Sequence, residues 1–141
     1  MKSNYFIFLV VLFFNTCGTD GDNICRNYRL VWIDLPSSQT IYATDKKLSK
    51  SQYVGIGIPA FVFSVGYNEK FIIAKQHPTN GFEGSFKVDT NITNYYIINM
   101  NLDTFEENKV IGPLNITSFD SARFVLKIEK IKFDMNYPEY Y

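Results

Sequence analysis

Phe61-Val62-Phe63-Ser64-Val65-Gly66-Tyr67-Asn68-Glu69-Lys70-Phe71-Ile72-Ile73-Ala74-Lys75 decides how this chain is read. Two short runs, Phe61 to Tyr67 and Lys70 to Lys75, are rich in β-branched and aromatic residues. Asn68-Glu69 between them suits a turn, so the stretch predicts a β-hairpin. Downstream, Gln76 to Gly84 holds turn residues throughout, and Ser85 to Val88 and Asn94 to Asn101 (NYYIINMN) read as further strands. Lys109 to Ile111 starts a last short strand before Gly112-Pro113. Upstream, Pro59 marks an edge or a bend, because proline cannot donate to a sheet ladder. Before it, Tyr28 to Asp34, Thr40 to Ala43 and Gln52 to Ile58 have strand character, with a charged loop at Asp45 to Ser51.

The period changes after Pro113. Phe119, Ala122, Arg123 and Leu126 recur at helical spacing, and Phe124, Ile128 and Ile131 repeat it. Thr117 followed by Asp120 supplies a capping signal, so a helix is expected over about Ser118 to Lys130. Asn136 to Tyr141 should end the fold or fray. The expected class is α+β: one β-rich domain over residues 28–141, an antiparallel meander sheet with a C-terminal helix packed on it. No internal repeat or low-complexity block marks a second domain.

Composition narrows the functions. The 141 residues carry 14 Lys+Arg against 14 Asp+Glu, a formal charge of zero. Nucleic acid is not expected as a partner, since phosphate binding needs a basic face. Hydrophobic residues at 46% and charged ones at 20% describe a folded domain and not a disordered tail. Aromatics at 17% suit the β-rich reading.

The N-terminus has another character. Lys2 precedes the apolar run Tyr5 to Phe14 (YFIFLVVLFF), which ends at Asn15-Thr16-Cys17-Gly18. A cation followed by a short apolar run has the form of an export signal over residues 1–16. As a helix the run would span about 15 Å, half of a hydrocarbon core of about 30 Å. Cys17, flanked by the small residues Thr16 and Gly18, resembles the lipobox cysteine of bacterial lipoproteins, although Phe14 and Asn15 replace the usual Leu and Ala or Ser. Lipidation at Cys17 is therefore expected, with residues 17–27 as lipidated Cys and polar tether. The alternative is an ordinary signal peptide whose Cys17 pairs with Cys25. If Cys17 is acylated, Cys25 is a lone thiol, either buried or a route to dimers. Asp20 and Asp22 could influence sorting, or simply solvate the tether.

Candidate chemistry is sparse. His77 is the single imidazole, so any Ser-His-Asp or Cys-His arrangement must use it, with Ser64, Ser85 or Cys25 as nucleophile. No G-x-S-x-G elbow accompanies it, and beside Pro78 the ring reads as solvated. Gly55-Ile56-Gly57-Ile58-Pro59-Ala60 formally matches a dinucleotide fingerprint. These glycines lead into a β-rich run and not a helix, so close strand packing is the better reading and no cofactor is expected. One His and two Cys are too few for a structural zinc site. Asp103, Glu106 and Glu107 lack the alternation of a calcium loop, so no metal is expected either. Tyr42, Tyr53, Tyr67, Tyr95 and Tyr96 lie in strands and would form a sugar- or protein-binding face if exposed together, although packing accounts for them equally. Asn91-Ile92-Thr93 and Asn115-Ile116-Thr117 are N-glycosylation sequons, and Asp120-Ser121-Ala122 resembles a bacterial O-glycosylation acceptor.

Three segments together carry a resemblance: the hairpin Val65 to Lys75, the strand Tyr95-Tyr96-Ile97-Ile98-Asn99, and Val110-Ile111-Gly112-Pro113-Leu114 followed by Phe119 and Arg123. With Cys17, they resemble a family of small bacterial lipoproteins catalogued as a domain of unknown function, over about Phe61 to Leu126. The resemblance brings no catalytic residues. What it implies is localisation: a lipid anchor in a bacterial envelope membrane, on the periplasmic or surface side. The leading expectation is a non-enzymatic protein that acts by binding, with another envelope protein as partner. An inhibitor or immunity-type protein and a periplasmic hydrolase using His77 are the alternatives.

Overall fold

A computed structural model describes residues 21–32, 38–44, 53–80, 87–102 and 109–139. Strands β1 (Gly21–Cys25), β2 (Tyr28–Val31), β3 (Thr40–Thr44) and β4 (Tyr53–Ile58) form one antiparallel sheet in that order. Strands β5 (Val62–Tyr67), β6 (Phe71–Gln76), β9 (Asn94–Asn99), β10 (Val110–Leu114) and β11 (Met135–Asn136) form a second, ordered β10-β9-β6-β5-β11. Between β6 and β9, β7 (Thr79–Asn80) and β8 (Lys87–Val88) make a small ribbon, and helix α1 spans Ile116–Leu126. The α+β class with antiparallel strands and a C-terminal helix is as the sequence indicates. The meander, however, is split into two sheets, and Pro59 is where the chain leaves one for the other. Val62 N–H donates to the Gln39 carbonyl at 3.0 Å across that crossing.

The second sheet is the middle of three layers. Ile72 pairs with Ile98, Ile73 with Ile97 and Ala74 with Tyr96 along β6 and β9. Because successive side chains alternate faces, Ile72, Ala74, Tyr96 and Ile98 pack toward Leu30, Ile41 and Ile58 of the first sheet. Ile73 and Ile97 point the other way, onto Phe119, Ile128 and Ile131. Strands covered on both faces need continuous apolar runs, which explains FIIA and YYII. In β3 only Ile41 and Ala43 are buried, the alternation expected where one face is solvated.

Helix α1 starts two residues earlier than the spacing predicts. Its cap is Asn115, whose Oδ1 accepts from Ser118 N–H at 2.9 Å. It stops at Leu126, not Lys130, because Lys127 turns left-handed at φ 58 and Ile128 N–H bonds back to the Arg123 carbonyl at 2.9 Å. Ile128 and Ile131 are therefore core residues of the segment after the helix. Phe124, which shared their spacing, is 73% exposed.

Three other expectations change. Gly21–Cys25 is a strand, with Asp22 opposite Leu30, so the domain begins within the stretch read as tether through Asn27. The Gly112-Pro113 peptide, which is cis, lies inside β10 at a register shift and does not follow the strand. Proline is tolerated there because β10 is an edge. The tail does not fray before Glu139: β11 pairs with β5, and Tyr137 N–H donates to the Phe63 carbonyl at 2.9 Å. Its polar, tyrosine-rich sequence hides a backbone that completes a sheet edge.

Candidate functional site

His77 follows β6 directly and is 4% exposed, so the solvated ring expected from sequence is buried instead. Its ring stacks on Phe63 with centroids 4.3 Å apart and planes at 15°. Nδ1 lies 2.7 Å from the Ile92 carbonyl, which can only accept, so Nδ1 carries a proton. Nε2 lies 3.0 Å from Glu139 Oε2. Gln39 Nε2 reaches the Pro138 carbonyl at 3.4 Å beside it. The imidazole thus fastens the tail across the start of β5 and the end of β6.

That arrangement differs from a catalytic triad, in which Nε2 faces a nucleophile while Nδ1 faces the carboxylate. Ser64 Oγ is engaged elsewhere, donating to Asn136 Oδ1 at 2.9 Å, and Cys25 lies in the other sheet. Ser85 falls outside the described residues. A shallow groove of about 520 Å³ lies between the hairpin tip and the end of α1, lined by Lys70, Phe71, Leu126 and Lys127. It sits at the start of β6, whereas His77 follows its end, about 20 Å away at strand rise. The groove and the imidazole do not form one site.

Of the tyrosines whose side chains are described, Tyr42, Tyr67, Tyr95 and Tyr96, no single face holds all four. Tyr95 stacks on Phe119 at 4.8 Å in the helix layer, while Tyr96 faces the opposite core. Tyr67 is 44% exposed and Tyr42 half-buried. The Tyr53 side chain falls outside the description. Packing accounts for Tyr95 and Tyr96. Gly57 lies in β4, where an added Cβ would strike the Ile41 carbonyl oxygen, so this glycine permits close strand approach. No helix opens there. Asn91 and Asn115 are both exposed, but Asn115 serves as the helix cap. Ser121 Oγ donates to the Thr117 carbonyl at 2.9 Å. Among the described residues no group of three His, Cys, Asp or Glu side chains could hold a metal ion. Asp103, Glu106, Glu107, Asp20 and Cys17 lie outside the described residues.

A second cluster escaped sequence reasoning. Cys25 pairs with Tyr28 across the turn at Arg26-Asn27, and a register shift before Cys25 leaves it beside Ile24 on the inner side of the sheet. Its thiol donates to Met100 Sδ at 3.4 Å, and Arg26 Nη1 donates to the Met100 carbonyl at 3.3 Å. Burial pushes the Cys25 thiol up, with Arg26 pulling the other way. The Tyr28 phenol is pushed up to about 12 by burial, helped by Cys25 and opposed by Arg26. Tyr28 is 2% exposed, and its hydroxyl has no hydrogen-bond partner among the described residues.

A folded-state value raised above the unfolded one means that stability is complete below pH 10 and is lost as pH climbs toward 12. We expect alkaline titration of the folding equilibrium to show a decline across that window, of which Tyr28 contributes up to about 2–3 kcal/mol. Burial likewise pushes the Tyr137 phenol up to about 12, so Tyr28→Phe should reduce the decline and leave the part due to Tyr137. An equal decline in the variant would remove Tyr28 as its source.

The fold and these clusters define a β-rich α+β domain whose central sheet is backed by one helix and closed by a histidine-fastened tail. The chain belongs to the family described as a protein of unknown function, DUF3997, whose profile matches residues 25–137. No curated protein and no solved structure matches it. Cys17 lies outside the matched span.

Proposed function

We propose that this chain is a non-enzymatic lipoprotein of the bacterial envelope, held to a membrane through acylated Cys17 and acting by binding an envelope protein. The observation that carries the reading is the order Lys2, apolar Tyr5 to Phe14, then Cys17 between small residues. The start of β1 at Gly21 supports it: the cysteine precedes the sheet, and at most about 14 Å of chain can separate it from the domain. Several acyl chains, each contributing about 0.8 kcal/mol per buried CH₂, give a lasting anchor. The use of His77 as a fastening, remote from the groove, favours binding over hydrolysis.

The test is metabolic labelling with an alkyne fatty acid in a bacterial host, followed by fractionation. Label and membrane association should appear in the wild type, and Cys17→Ser should lose the label and its palmitate-dependent retention. An unlabelled wild-type chain in the cytosol would overturn the proposal.

An inhibitor or immunity-type role is the second reading, favoured by Phe124 and Val125, neighbours on α1 that stand 73% and 76% exposed. Side chains of this size draw contact energy from a partner's apolar surface. A partner recovered from detergent-solubilised envelope should be lost with Phe124→Asp while the melting temperature holds. A partner retained by Phe124→Asp would place the contact elsewhere.

A further inference from the structure

Four lysine side chains serve neither the core nor an ion pair, and they gather at one end of the domain. Lys70 and Lys127, with Glu69, line the groove of about 520 Å³ between the hairpin tip and α1. Lys130 and Lys132, with Asp134, line a hollow of about 320 Å³ that adjoins it, since Asn68 borders both. All four lysines are exposed, and none is in an ion pair among the described residues. Glu129 lines neither concavity. Four lysines against two carboxylates is a local positive excess in a chain whose formal charge is zero. Such an excess across adjoining concavities draws in an anionic partner and turns away a cationic one.

The lining is not only charged. Phe71 and Leu126 lie in the groove, and Tyr67, 44% exposed, lies in the hollow. A bare inorganic anion leaves those surfaces uncovered, so the fitting occupant carries apolar and acidic side chains together. Position selects further. Gly21 pairs with Val31 and Val31 with Thr40, next to Gln39, whose carbonyl holds Val62 at the start of β5. Beyond the other end of β1, Arg26 donates to the Met100 carbonyl and Met100 N–H to the Lys70 carbonyl. The lysines thus stand a strand length, about 20 Å, from the residue where a chain anchored through Cys17 enters the sheet. That end faces a neighbouring protein more readily than the lipid.

We propose that the hairpin-tip end docks an acidic segment of a partner protein, laid across Asn68. Its carboxylates meet Lys70, Lys127, Lys130 and Lys132, and its apolar side chains cover Phe71, Leu126 and Tyr67. This deepens the binding role proposed above and rests on it. Each exposed ion pair contributes little alone, so the affinity comes from several together and weakens as salt screens them.

The experiment uses the full-length chain with Cys17→Ser, labelled with nitrogen-15 and kept in nonionic detergent. It is titrated with the capped peptide EEFELEE and with its uncharged counterpart QQFQLQQ. Amide shifts over 68–71 and 127–132 should saturate with the acidic peptide alone, and its affinity should fall steadily as salt is added. Lys70→Glu combined with Lys130→Glu should weaken binding roughly tenfold or more. Lys87→Glu, the same change on an exposed lysine of β8, should leave it unaltered. Melting temperatures confirm that each variant is folded. Equal binding of the two peptides, an equal loss with Lys87→Glu, or no saturable shift overturns the surface. So does binding to phosphatidylglycerol vesicles that the double variant abolishes while the peptide stays unbound, which would assign the lysines to lipid. The anchor, read by fatty-acid labelling, and the Phe124 contact, read by capture, stand or fall separately.

Discussion

Phe119→Ala should lower the unfolding free energy by about 3–5 kcal/mol, the range for emptying a fully buried aromatic site. In a domain of this size that is roughly a 10–20 °C drop in melting temperature. Phe119 is 1% exposed and is the one buried residue of α1. Its ring stacks on Tyr95 and lies 6.0 Å from Phe133, while the Arg123 guanidinium covers it at 5.3 Å. Arg123 in turn donates to the Glu129 and Ile131 carbonyls, tying the segment after the helix to the same centre. The cavity cannot close cheaply, because the helix is held at both ends by its caps. Chemical denaturation with fluorescence detection measures the loss, and a change under about 1 kcal/mol would mean that the helix layer contributes little to the fold.

Gly66→Val should be comparably damaging, about 3 kcal/mol or more, for the opposite reason. An added Cβ at Gly66 would overlap the Lys132 carbonyl oxygen and its carbon. Both belong to backbone, so no side chain can swing aside. Relief requires Lys132 and Ile131 to move off β5, which pulls on β11 as well. The readout is loss of amide protection at Met135–Asn136 together with a lowered denaturation midpoint. Unchanged protection there would show that the segment yields without leaving the sheet.

Much of the fold was legible because hydrophobic pattern and backbone chemistry agree locally. The continuous runs at Phe71 to Ala74 and Tyr95 to Ile98 announce strands buried on two faces, and Asn68 accepts from both Lys70 and Phe71 N–H at 2.8 Å to close the hairpin tip. The illegible features depend on partners far apart in sequence or on backbone that no side chain reports. The helix end is set by the left-handed Lys127, a conformation its side chain does not advertise. His77 reads as a turn residue until Phe63 and Glu139 close over it, the latter 62 positions away. Gly21–Cys25 is too polar to signal a strand, since only Ile24 in it is buried. The Cys25–Met100 pair spans 75 positions and rests on a register shift that no motif records.

The capture of β5 by β11 governs how one molecule meets another. A strand with a bare flank is a template on which a neighbouring copy can build, and β5 carries the apolar, low-charge sequence VFSVGY that such templating favours. Among the described residues, two residues of β11, the Tyr137 amide and the Gln39 carbonyl on Val62 hold that flank, with the histidine fastening the tail beyond it. Unhooking so small a clasp would bare β5 as an edge, so any self-association of this fold is expected to start at this corner.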